Sequence, residues 1–318
     1  MSAFTRQVRT RFTRHATRTM RAALLVGAAA AIPATAAAQL RVVTSTTDLW
    51  DIAKAVGGSH ITATHIGEGY EDPHFVQPKP SFILTLRRAD VWAYVGLDLE
   101  IGWMSVLLDG AKNQKIRAGG AGHVNASTVI PVLDVMQGRV DRSMGDIHPL
   151  GNPHYWLHPD NATRIAELFQ GKFTELDPAN AAAYEQNRQA FQARLEAAAR
   201  EWQADLAAIR DKPVVAWHTS WRYFAQYTGM RIVGFIEPKP GVPPSPAHLT
   251  SLIQTMKQTG VKVIIMEPFY DRKTADVVAR QTGARVLILP PSVGGQKGLD
   301  DYIALMRHNI QTVAGAVR

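Results

Sequence analysis

Beyond residue 39 the chain alternates short apolar runs with amphipathic stretches of helical period. The run at 40–44 (LRVVT) predicts a strand, followed by a helix over 49–56 that stops at Gly57-Gly58. A second strand is predicted at 61–66. Pro80 and Ser81 mark the start of a helix over 80–88, DVWAYV at 90–95 reads as a third strand, and 99–108 as a helix. The same rhythm returns near the C-terminus, with strands at 214–217, 231–236, 261–266 and 285–289. Helices at 220–227, 249–258, 273–281 and 300–313 alternate with them, three of them stopped by Gly229, Gly260 and Gly283. Alternation of this kind predicts βαβ units and an α/β fold with mostly parallel sheets.

Residues 116–158 break the rhythm with Gly, Pro and turn residues, and a long helical region follows. From Pro178 to Ile209 neither Gly nor Pro recurs. Tyr184, Phe191, Leu195, Trp202, Leu206 and Ile209 fall on one helical stripe. A rod of roughly 45 Å is expected at about 1.5 Å per residue, long enough to pack on two lobes at once. The division that follows is an N-terminal lobe at 39–177, a linking spine helix at 178–211 and a C-terminal lobe at 212–318.

Charge changes this picture only at the N-terminus. The formal net charge is +8, but residues 1–38 hold six arginines (Arg6, Arg9, Arg11, Arg14, Arg18, Arg21) and no acid. Without them the balance is 29 basic against 27 acidic residues, so no nucleic acid or other polyanionic partner is implied. The basic stretch, the apolar run 22–32 and the small residues Thr35-Ala36-Ala37-Ala38 predict a signal peptide cleaved after Ala38. The apolar run is well short of the ~20 residues needed to span a bilayer. The chain has no cysteine, which excludes thiolate zinc sites, thiol catalysis, disulfides and a lipid-modified N-terminal cysteine. A periplasmic protein without a membrane anchor is expected, and any metal must be held by His, Asp or Glu.

Histidine placement is the most informative chemistry. His74 stands in Glu71-Asp72-Pro73-His74, past the second strand. His154 stands in Asn152-Pro153-His154-Tyr155-Trp156-Leu157, and His218 directly follows the strand VVAW. In open α/β sheets the carboxyl ends of strands face the ligand crevice, so residues there can converge from two lobes. A single loop histidine is more often a surface residue than a ligand. Three at strand ends or turns, each beside Pro or an aromatic, suit a divalent ion such as zinc.

These segments resemble a known family. Asp72-Pro73-His74 followed by Gln77-Pro78-Lys79-Pro80-Ser81 is similar to the first ligand motif of the zinc/manganese solute-binding proteins of ABC metal importers. The run 152–157 (NPHYWL) resembles their second motif. His218 with Trp221, Tyr223 and Phe224 resembles the third, and Glu267-Pro268 the Glu-Pro that ends a strand of the second lobe. The resemblance covers essentially the whole chain after the leader. It implies a two-lobed fold joined by one long helix and a metal buried between the lobes. His74 and His154 would come from one lobe and His218 from the other. Histidine at the third position is typical of the zinc-binding branch.

Two departures bear on the ligand set. The family commonly supplies an Asp after the last strand, whereas here that strand ends Leu289-Pro290-Pro291-Ser292. Glu267 is the first substitute, Glu237 the second, and water or a mobile residue the third. A carboxylate that only holds an imidazole N–H is the competing reading of both glutamates. His158 stands where the family carries Asp, and forms a loop cluster with His148 and His154. His148 reads first as a plain loop histidine and second as an auxiliary or relay ligand.

The function expected is capture of Zn²⁺ as transported cargo and delivery to an ABC permease and its ATPase by a monomeric, non-enzymatic carrier. A binder of Mn²⁺, Fe²⁺ or a chelated metal on the same fold is the alternative. A zinc hydrolase finds no HExxH helix, nucleophile elbow or phosphate loop in its support, and a metal-stabilised adhesin has no positive sequence feature.

Overall fold

Eight strands and ten helices make up the described residues of this computed structural model, which are 39–138 and 147–318. The expected leader at 1–38 lies outside the described residues. β1 (Leu40–Thr44), β2 (Ile61–His65), β3 (Val91–Tyr94) and β4 (His123–Asn125) form one parallel sheet in the order β2-β1-β3-β4. Leu40 pairs with Ile61 across β1 and β2, and Val42 with Val91 across β1 and β3. The helices of this half are α1 (Thr47–Gly57), α2 (Pro80–Arg88), α3 (Met104–Ala111) and α4 (Pro159–Leu176).

After α5 (Ala181–Glu201) and α6 (Gln203–Ile209) a second parallel sheet follows. Its strands are β5 (Pro213–Ala216), β6 (Arg231–Phe235), β7 (Val263–Met266) and β8 (Arg285–Ile288), in the order β6-β5-β7-β8. Its helices are α7 (Arg222–Thr228), α8 (Pro246–Thr259), α9 (Lys273–Thr282) and α10 (Tyr302–Val317). All four residues of β7 are buried, as expected of a central strand covered on both faces. Gly229, Gly260 and Gly283 take up left-handed backbone with φ of 74°, 70° and 71° after α7, α8 and α9. These are the stops that the sequence signalled.

The α/β class is therefore as the sequence predicts, with three local differences. β4 is three residues long and sits on the sheet edge, too short to show a period of its own. α3 begins at Met104 rather than at 99, because Gly96, Leu97 and Asp98 all have positive φ (79°, 52° and 64°) and turn the chain away from a helical path. Over the expected spine a short turn at Pro178–Asn180 precedes α5, and α5 passes into α6 through Trp202, whose backbone stays right-handed helical, with Trp202 N bonded to Ala198 O and Leu206 N to Trp202 O. Trp202 is buried edge-on to Tyr227. The apolar stripe keeps its phase through this residue.

α5 packs on α1 and α4, whereas α6 packs on α10, which also reaches back to α1. One apolar core runs through both halves, from Leu49 and Ile52 of α1 to Leu305 and Ile310 of α10. Buried hydrogen bonds tie the segment before α10 to the first half. Val293 N donates to Asp48 Oδ1 at 3.0 Å, Thr47 Oγ1 to Val293 O at 2.7 Å, and Trp156 Nε1 to Pro291 O at 2.8 Å. Burial pushes the Asp48 carboxyl up to about 7, against the pull of the Val293 amide. A Cβ at Gly69 would lie 1.9 Å from Val293 O, so only glycine lets the two loops approach so closely.

Candidate metal centre

The carboxyl ends of both sheets meet at a cluster of imidazoles. His74 lies in a short helical turn (Pro73–Phe75) after β2, and His154 just before another (Tyr155–Leu157). His218 follows β5 by two residues. One nitrogen from each of these three lies within 4.8 Å of the other two. His154 and His218 are buried, with 2% and 3% of their surface exposed, and His74 is partly exposed. Each half of the molecule thus contributes to one point.

The two Asx-Pro-His motifs work by the same local device. Asp72 Oδ1 accepts both the His74 backbone N–H at 3.0 Å and its ring Nδ1 at 2.6 Å. Asn152 Oδ1 accepts the His154 backbone N–H and its Nδ1, each at 3.0 Å. The intervening proline restricts φ, and the Asx oxygen two residues before the histidine then holds ring and backbone together. Because a backbone N–H must donate, the contacting Asn152 atom is its oxygen. Asn152 Nδ2 is left to reach across to Thr219 O at 2.9 Å, beside His218. Trp103 Nε1 donates to Pro73 O at 3.0 Å and anchors the first motif from behind.

His218 is held by a neighbouring strand end instead. Its Nδ1 meets Glu237 Oε2 at 2.5 Å, and Glu237 Oε1 accepts the Gly241 N–H at 2.9 Å. In all three histidines Nδ1 faces an acceptor, so Nδ1 carries the proton and Nε2 presents its lone pair. Burial holds the His154 pKa well below the usual imidazole range, reinforced by His74 and His218. For Asp72, burial opposes ionisation, yet the hydrogen bonds from the His74 ring and backbone outweigh it and lower its pKa.

Glu267 and Glu237, the two carboxylates considered from sequence, separate here. Glu237 orients His218 through Nδ1. Glu267, which directly follows β7, is fully buried and lies outside the group of three donors. Neither of its oxygens has a hydrogen-bond partner of good geometry. Burial raises its pKa to about 7, opposed by the Ser220 hydroxyl and assisted by the charges of Asp72 and Glu237. His158 caps α4 by accepting the Asp160 N–H at 3.2 Å, with its ring against Tyr227. It fills the capping role that an Asp would have.

His148 stands closer to the centre than its loop position suggests. Its Nε2 is 3.0 Å from His74 Nε2, and its Nδ1 is 3.0 Å from Leu97 O. The Leu97 carbonyl is aimed by the left-handed turn at 96–98. Glu100, itself buried, holds that turn by accepting the Val95 and Gly96 N–H groups at 2.7 and 3.0 Å. Burial, followed by the field of His74 and His218, lowers the His148 pKa to about 3. His74 and His148 also line a cavity of about 540 Å³, with Phe75, Ile101 and Trp103 on its walls. Sequence reasoning missed the roles of Asp72, Asn152 and Leu97. The first two carry a visible signal, their shared position two residues before a histidine, while a backbone carbonyl carries none.

Two parallel sheets whose strand ends enclose a buried cluster of nitrogen donors define a solute-binding type of α/β protein. The chain belongs to the family described as zinc-uptake complex component A, periplasmic, whose model matches residues 42–316. That family is one of solute-binding uptake components, not of enzymes. The chain is 33% identical over 156 residues to the high-affinity zinc uptake system protein ZnuA of Brucella abortus (strain 2308). This match covers 49% of the chain and 47% of the relative, so it spans about half the length of that protein. The manganese-binding lipoprotein MntA of Halalkalibacterium halodurans is 25% identical, with 86% of the chain and 87% of the relative covered. Among solved structures, a zinc-bound ZnuA lacking its residues 138–173 is similar with a TM-score of 0.71 and 26% identity, covering 87% of this chain and 98% of that one. The fold is also that of FpvC from Pseudomonas aeruginosa, solved in complex with Mn²⁺, at a TM-score of 0.72 and 23% identity, covering 88% and 98%.

Proposed function

We propose that this protein captures a divalent transition metal, Zn²⁺ before Mn²⁺ or Fe²⁺, and delivers it to the permease and ATPase of an ABC importer. The observation that carries this reading is the convergence of His74, His154 and His218. Three neutral Nε2 lone pairs meet at one shielded point, each ring pinned through its Nδ1. Imidazole donors suit zinc and discriminate against manganese, which favours oxygen. Relatives named for zinc and for manganese bracket the choice, and the nitrogen-rich donor set supports zinc. Glu267 is a fully buried carboxyl outside this set, and a cation nearby would favour its ionised form.

The segments 39–177 and 212–318 act as two lobes with the metal between them, and 178–211 links them. The leader at 1–38 directs the chain to the periplasm, where it works as a monomer without a lipid anchor, since it has no cysteine to carry one. Among the described residues no helix is long and apolar enough to cross a membrane.

Metal content and affinity test this directly. The purified protein, stripped with chelator, is expected to bind one equivalent of zinc at submicromolar strength or tighter, and manganese far more weakly in competition. His218→Ala removes the second half's nitrogen from the cluster, so its affinity is expected to fall by more than the ~100-fold typical of losing a supporting group. Near-wild-type affinity in that variant would falsify the site. A clear preference for manganese or iron would sink the choice of zinc.

A further inference from the structure

We propose that His148 is the fourth nitrogen donor of the metal centre, taking the place of the carboxylate that the chain lacks after β8; this rests on the reading of the triad as a metal site. The Leu97 carbonyl can only accept, so His148 Nδ1 donates to it and His148 Nε2 presents a lone pair. Asp72 likewise takes the proton on His74 Nδ1 and leaves a lone pair on His74 Nε2. These two nitrogens face one another at 3.0 Å. Two neutral acceptors at that separation repel unless a metal ion lies against both or one ring takes up a second proton and donates it to the other. Two nitrogens bound at ~2.0–2.1 Å to one tetrahedral zinc stand about 3.3 Å apart, a few tenths of an ångström from the separation found.

The support behind His148 is built like that behind the other three. Asp72, Asn152 and Glu237 hold His74, His154 and His218, and for His148 the holder is a backbone carbonyl. That carbonyl is aimed by Leu97 and Asp98 in left-handed conformation, φ 52° and 64°, and the turn is secured by buried Glu100. A plain loop histidine needs no such anchor. Its ring lies 5.1 Å from His74 and 6.3 Å from His154, centroid to centroid. His148 and His74 are also the two histidines on the wall of the 540 Å³ cavity, whereas His154 and His218 are buried. His148 is therefore the donor on the solvent side: it touches His74 but lies outside the group of three mutually close nitrogens, so it has to swing inward to close over an arriving ion and is the first to let go.

Zinc-edge X-ray absorption on the purified protein carrying one equivalent of Zn²⁺ counts the imidazoles, and Co²⁺ absorption spectra report coordination number independently. Four imidazoles with no oxygen are expected in the wild type. In His148→Ala three imidazoles and one oxygen are expected, with zinc still bound in one equivalent at an affinity about tenfold or more weaker. Wild-type spectra showing three imidazoles plus oxygen, unchanged in His148→Ala, would overturn the proposal while leaving the triad intact. Failure of the wild type to bind zinc at all would overturn the triad itself. The wild-type count decides the matter even if the variant fails to fold.

Discussion

The two sheets share one strand order, yet they deliver their imidazoles in different ways. In the second half His218 comes almost straight off β5, and its orienting carboxylate Glu237 comes off the neighbouring β6. Position in the sheet does nearly all the work. In the first half the donors stand in turns outside the strands, and each Asx-Pro-His motif brings its own acceptor. The lesson is that a strand end positions a ligand through the fold, while a loop has to encode the positioning locally. That is why the loop donors are written as motifs and the strand-end donor is a bare histidine.

Five substitutions would break or sharpen this contrast. The largest effect is expected where the halves are tied together, at Asp48. Its carboxyl is raised by burial from 3.8 to about 7, so the folded state keeps a proton that the unfolded chain releases. The associated stability is complete below about pH 4 and is lost as pH rises through about 7. Asp48→Asn removes that loss. The difference in unfolding free energy between metal-free variant and wild type is expected to grow by up to ~4 kcal/mol between about pH 4 and pH 8. Parallel denaturant-unfolding profiles across that range would contradict the assignment.

Next come the orienting groups. Asn152→Ala and Glu237→Ala each free an imidazole, and each is expected to weaken zinc by 10–100-fold, roughly, in a competition titration. Asp72→Asn should cost much less, because it converts the first motif into a copy of the second, where Asn152 already does the same task. A larger loss for Asp72→Asn than for Glu237→Ala would show that the charge at residue 72, rather than its geometry, matters. The smallest effect belongs to the half-exposed pair Arg222–Asp134, at 2.9 Å between the second half and the loop leading to Asn152. Arg222→Ala is expected to cost under ~1 kcal/mol in thermal unfolding, and a larger loss would mark this contact as a true fastening of the loop.

Much of this arrangement was legible in the sequence. The alternation of apolar runs and helical patterns, with glycine stops after α7, α8 and α9, is local and reads directly. His74, His154 and His218 stood out because each neighbours a strand end or a proline. What could not be read depends on partners distant in sequence. Whether Glu237 or Glu267 approaches the imidazoles depends on the relative placement of β6 and β7. His148 gains its place from a carbonyl 51 residues earlier. β4 is too short to have a pattern of its own.

The path of α10 has a consequence in time rather than in space. This last helix covers apolar surface on α1, the first helix of the chain, and the segment before it supplies the partners of Thr47, Asp48 and Trp156. A chain emerging N-terminus first therefore leaves the part of α1 that α10 covers open until nearly its final residue has appeared. The first half cannot complete its core as an independent early unit, and the interval before release is the period in which the nascent chain most needs protection from aggregation.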